Sequence, residues 1–182
     1  MQQLLKWTLE TIREEESSFS WMEEYRYEWA PLVKSAVGQS IEGKTALVIT
    51  DESFEWFGKY ILNNVNDLKK NRPLLPFYCL SCCFPQLQTM KSSQDLQLLE
   101  DMLDISYPNG YYIWYICKGD HPFTKLAYRN EDSFLWVMDE EVQDSFAFRS
   151  SDVLLDIKLL QLFKLFDNTL SAALFGDLDL EA

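Results

Sequence analysis

Apolar residues recur at spacings of three and four in the first forty positions and again near the end of the chain. Between them, short apolar runs alternate with further helical stripes. The first forty residues divide into two helical pieces: Leu5, Leu9 and Ile12 share a face of the first, and Met22, Tyr25, Trp29, Leu32, Val33 and Ala36 line the second. Pro31 removes a backbone hydrogen bond inside that second helix, which predicts a kink or a restart near Ala30. Lys44–Thr50 (KTALVIT) is apolar and β-branched, bounded by Gly43 and Asp51, and reads as a buried parallel strand. It leads into a helix over Ser53–Val65 with Phe54, Phe57, Ile61, Leu62 and Val65 on one face. Gly58 within it implies close approach of a neighbouring backbone. Further strands are expected at Leu74–Leu80, Tyr111–Cys117 and Ser133–Met138, with a short edge strand at Ser145–Arg149. Pro76 argues against regular central pairing of the first of these. Leu96–Leu103 and Asp120–Asn130 read as helices between them.

The last segment, Asp152–Phe175, carries more apolar surface than one core face uses. Leu155, Leu159, Leu162, Phe166, Leu170 and Ala173 form the expected stripe, and Phe163, Leu165 and Leu174 widen it. Ile157 and Leu160 then fall among Asp156, Lys164, Asp167 and Ser171, on the side expected to be wet. Ser151 or Asp152 is the expected cap. A helix with this surplus is read as buried by its own domain and by another chain. The aromatic cluster Trp21, Tyr25, Tyr27 and Trp29 exceeds what one strip can bury, and a subunit contact is favoured over plain edge packing.

Strands alternating with helices predict an α/β fold with a mostly parallel sheet covered by helices on both faces. A single domain over 1–182 is expected: helices over 1–37, a sheet core over 44–149 and the closing helix over 152–175. With 182 residues, 47% of them hydrophobic and 15% aromatic, the chain is large enough to bury a full core. No apolar run reaches the roughly 18 residues of a membrane span. The opening residues turn acidic instead of forming a signal peptide, so a cytoplasmic location is expected. The net charge is −13, with 16 basic against 29 acidic residues. Nucleic-acid affinity comes from cations that neutralise phosphates, so direct DNA or RNA binding and anionic membranes are disfavoured, and a partner with a basic patch is favoured.

In an open α/β sheet the first strand-to-helix turn is the natural ligand site. Here it reads TDESFEWFG. Asp51, Glu52 and Glu55 place negative charge where a phosphate would sit, with no glycine before Gly58. Ser53 is within the turn, with helix capping its favoured role. Asp139, Glu140 and Glu141 offer carboxylates for a magnesium ion, but a solvated loop is the favoured reading. Cys79, Cys82 and Cys83 (C-x-x-C-C) are compatible with zinc or a redox pair. Buried thiols are preferred, because no second close pair exists and His121 is the only histidine. As the base of a Cys–His nucleophilic pair His121 needs a suitably placed thiol, a geometry that sequence does not supply, and the pair is disfavoured. No catalytic motif appears, so no catalytic residue, metal or cofactor is assigned.

Four stretches together carry a family resemblance: EWFGKYILNNVN (55–66), DLKKNRPLLP (67–76), SFLW (133–136) and LLDIKLLQLFKLFDNTL (154–170). Over nearly its whole length the chain resembles the HobA family, bacterial proteins that bind the replication initiator DnaA. The resemblance implies a three-layer flavodoxin-like fold, related to sugar isomerases but without isomerase activity. It implies a homotetramer, a dimer of dimers, that binds the N-terminal domain of DnaA and promotes its assembly at the origin. Gathering several initiators on one oligomer raises their effective concentration without catalysis or contact with DNA. Against that background, Asp51, Glu52, Glu55 and Trp56 are the candidate DnaA-binding residues. Trp21, Tyr25, Trp29, Ile157, Leu160 and Phe163 are the candidates for the oligomer interface. The alternative is a phosphosugar- or nucleotide-binding isomerase-like enzyme or sensor.

Overall fold

The apolar runs of the middle region become strands in the computed structural model, which describes residues 1–15, 17–90 and 92–180. They are β1 (Thr45–Thr50), β2 (Phe77–Cys79), β3 (Tyr111–Lys118), β4 (Phe134–Met138) and β5 (Ser145–Phe148). All pair in parallel, in the order β2-β1-β3-β4-β5. This is the flavodoxin-like order, which reverses direction between β1 and β3. β1 and β4 are buried along their whole length, as parallel strands covered on both faces must be.

Alternate strand residues face two separate cores, following the two-residue pleat. On one face, Ala46, Val48, Trp114, Ile116, Phe134 and Trp136 meet α1 (Gln2–Glu14), α2 (Met22–Ile41), α3 (Glu55–Val65) and α7 (Leu155–Phe175). On the other, Leu47, Ile49, Ile113, Tyr115, Leu135 and Val137 meet α5 (Ser93–Ser106) and α6 (Thr124–Arg129). A one-turn helix, α4 (Leu80–Cys83), follows β2 and adds Leu80 to that second core. α5 is held at its start by a capping box between Ser92 and Asp95.

Several local expectations shift. α2 runs through Pro31 without the expected restart, because Trp29, Ala30, Val33, Ala36 and Val37 are all buried around it and fasten the helix to the sheet. α1 buries Leu4, Thr8 and Ile12, one position away from the face expected from Leu5 and Leu9. Gly58 is a point of close approach, although to a side chain: a Cβ there would lie 3.1 Å from Thr50 Cγ2. α7 begins at Leu155, and Asp152 acts just before it by accepting the Leu154 N–H at 2.9 Å. Gly176, at φ +80°, then ends that helix in the left-handed conformation that suits glycine. No helix among the described residues is long and apolar enough to cross a membrane.

Candidate functional site

The reversal between β1 and β3 opens at the carboxyl edge of the sheet, where α/β proteins of this order bind ligands. β1 delivers Asp51 there. Its backbone is extended, and its carboxylate accepts the N–H groups of Ser53 at 2.8 Å and Phe54 at 3.2 Å. Those amides are the donors a phosphate would need at a helix start, and a resident carboxylate already uses them. Ser53 contributes its amide to this cap.

Glu52, Glu55 and Trp56 stand on the outer side of the same turn, all exposed, with Trp56 39% accessible and its ring 5.4 Å from Phe57. Glu55 pairs with Lys59 at 2.6 Å on the open surface, where water and salt screen such a pair. The four candidate DnaA-binding residues therefore share one strand-to-helix turn. Three project to solvent, and Asp51 holds the turn in shape.

The neighbouring strand ends complete this rim. After β3, Gly119 is overlain by the Glu140 carboxylate, which comes from the end of β4 and occupies the space of a Gly119 side chain. Asp139 is committed elsewhere: its two oxygens accept the N–H of Ser150 at 2.7 Å and its hydroxyl at 2.5 Å, which holds the Asp139 carboxyl below the usual carboxylate range. His121 Nδ1 accepts the Phe123 N–H at 3.4 Å, and Cys117 directs its sulfur to the Ile49 carbonyl. Among the described residues no three His, Cys, Asp or Glu side chains converge as metal ligands would. The expectation of buried thiols holds only for Cys117. Cys79 is half-buried, while Cys82 and Cys83 are exposed, because α4 is a single turn that turns only Leu80 inward.

The six residues expected at a subunit contact separate into two groups. Trp29 is fully buried among Phe134, Trp136 and Phe146, and Phe163 is 3% exposed against Trp114 and Tyr60. Both belong to the chain's own core and are not available to a neighbour, since the sheet below them covers a wider arc than one helical stripe. Trp21, Tyr25, Ile157 and Leu160 stay near the surface. Trp21 donates to Gln161 Oε1 at 2.9 Å, sits under Lys158 Nζ at 4.9 Å, and lies 6.0 Å from the Tyr25 ring. Tyr25 is 45% and Ile157 51% exposed, and Leu160 is half-buried against the core. Val153 and Leu154, which sequence reasoning passed over, adjoin them at 96% and 53% exposure. Two bare apolar residues just before a helix start were the available signal.

A second feature had no warning in local pattern. The loop between α3 and β2, at the opposite edge of the sheet, is tied to α7 through Asp167. Its carboxylate binds Arg72 and Lys70, and Arg72 also donates to the Val65 carbonyl and the Ser171 hydroxyl. The loop frames a cavity of about 220 Å³ lined by Asn66, Asp67, Leu68, Asn71, Arg72, Pro73 and Leu74.

Comparison with known proteins places these features in context. The family model described as "HobA: DNA replication regulator" matches residues 1–180. The DNA replication regulator protein HobA of Helicobacter pylori is 32% identical over 189 residues, covering 99% of this chain and all of that protein. Two Helicobacter pylori crystal structures superpose over the same length. One is a complex of HobA with DnaA domains I–II, with a TM-score of 0.75 at 29% identity, covering 96% of this chain and 97% of that one. The other is HobA itself, with a TM-score of 0.72 at 30% identity and 96% coverage of both chains.

Proposed function

The chain belongs to the HobA family of DNA replication regulators, and from that premise we propose that it acts by binding the N-terminal region of the initiator DnaA. The observation that carries this reading is the end-to-end likeness to a HobA solved in complex with DnaA domains I–II. As a homotetramer, a dimer of dimers, the protein presents several initiators side by side and raises their effective concentration at the origin. It does this without catalysis and without touching DNA, which its net charge of −13 disfavours. The acidic rim of Glu52 and Glu55 with Trp56 is the surface we assign to the initiator. Charge steers the encounter and the half-exposed indole supplies apolar contact. The exposed ridge of Trp21, Tyr25, Ile157 and Leu160 is the surface we assign to a neighbouring subunit.

The test is a pull-down with the N-terminal domains of the cognate DnaA, combined with light scattering. A complex whose mass is a tetramer plus bound initiator domains is the expected result. Separate elution of the two proteins at micromolar concentration would contradict the reading. Asp51's occupation of the turn amides weighs against a phosphosugar or nucleotide site. Thermal shift with a panel of sugar phosphates and nucleotides checks that rival, since a ligand of the native state raises its stability.

A further inference from the structure

The C-x-x-C-C segment takes no part in the function proposed above. Cys79 is the last residue of β2 and Cys82 lies three positions on, within α4. The Cys79 sulfur accepts the Cys82 backbone N–H at 3.3 Å. The Ser81 hydroxyl lies 3.2 Å from the same sulfur. Cys82 is exposed and Cys79 half-buried, so a small reagent reaches the pair. The other two thiols are placed differently: Cys83 is exposed at the last residue of α4, and Cys117 is buried in the sheet against Ile49. The 3.3 Å contact of the Cys79 sulfur with the Cys82 amide sets that sulfur against the residue whose thiol it joins, and a change of side-chain rotamer brings the second sulfur to it.

We propose that Cys79 and Cys82 form a reversible dithiol–disulfide couple that exchanges with low-molecular-weight disulfides of the glutathione type. The Cys82 amide directed at the Cys79 sulfur assigns Cys79 the first attack, and the Cys82 thiol, pushed up to about 11 by its contact with Cys79, is held for the second. Cys79 bonds to one sulfur of the reagent, the reagent's S–S bond breaks, and one thiolate departs. Cys82 then loses its proton and attacks the Cys79 sulfur of the mixed disulfide, expelling the second thiolate. Two cysteine thiols are oxidised, one reagent disulfide is reduced to two thiols, and the two cysteine protons end on those thiols. The resulting cross-link lies at the end of β2, which packs against α3. The couple does not depend on which partner the acidic rim binds.

The full-length protein is equilibrated with mixtures of glutathione and glutathione disulfide, quenched with an alkylating maleimide and read by intact mass and peptide sequencing. Wild type and Cys83→Ser are expected to lose two alkylatable thiols together, to carry a Cys79–Cys82 cross-link, and to regain both thiols in dithiothreitol. Cys82→Ser, altered at an exposed position, is expected to stop at a glutathione adduct on Cys79. Four unchanged thiols at every ratio would overturn the proposal. So would a stable adduct on Cys82 or Cys83 of the wild type, or a cross-link through Cys83 or Cys117.

Discussion

Asp167 lies on the closing helix among residues that periodicity assigns to solvent, yet it is 7% exposed and neutralises two cations from a loop some 95 positions earlier in the chain. The Arg72 side chain is 2% exposed, so it depends on that carboxylate. Removing one partner of a buried ion pair leaves an uncompensated charge and costs about 3–5 kcal/mol. Asp167→Ala is therefore expected to lose that much in urea unfolding. Lys70→Ala is expected to lose clearly less, because its side chain is 23% exposed and rehydrates. Equal losses would contradict this account. Asp139 offers a pH test. Its folded-state pKa is lowered by Ser150, so the stability it adds is present above the ordinary aspartate value of about 4 and is lost as the pH falls through the lower folded value. Asparagine tolerates the φ of +64° at this position. Unfolding midpoints of wild type and Asp139→Asn are expected to differ most near neutrality and to converge in acid.

Among the elements, α2 and α7 show how far a helical wheel can be read. Their stripes were legible, and Leu155, Leu159, Leu162, Phe166 and Leu170 are all buried as expected. The wheel fixes angular position but says nothing of how wide an arc the neighbours cover. Two helices and a sheet close over Phe163 and Trp29, whereas Tyr25 and Ile157 at similar spacing remain open. Truncating the buried pair should therefore act on folding: Trp29→Ala and Phe163→Ala are each expected to cost about 3–5 kcal/mol. Charging the open pair should act on assembly. Tyr25→Glu and Ile157→Glu are expected to lower the mass seen by light scattering with little change in the melting temperature of the protomer. An unaltered mass would remove this ridge from the subunit contact.

For the whole molecule, one strongly acidic surface surrounds a sheet whose ligand edge is closed by its own carboxylates. Asp51 is spent on the turn, so reversing it would confound shape with charge, at a capping cost of about 1 kcal/mol. Glu52→Lys and Glu55→Lys are free of that problem, because both side chains are exposed. Together they are expected to weaken DnaA N-terminal binding, chiefly through a slower association rate, while the oligomer mass stays constant. The wild-type affinity should also fall with added salt, as screening shortens the reach of the rim. Binding that ignores both changes would move the initiator to another surface.

The sequence by itself determined most of the element list, the parallel sheet and the acidic turn after β1, because each follows from spacing and side-chain chemistry within a few residues. It missed α4, and the strand expected over Leu74–Leu80 shrank to β2 at Phe77–Cys79. It also carried the family, since long helical and loop segments are specific enough to recognise. The tertiary structure alone decided which surplus apolar residues are covered, which cysteines face solvent, and that Arg72 and Asp167 meet. Those outcomes depend on packing between segments distant in the chain, where local periodicity holds no information about the neighbour that arrives.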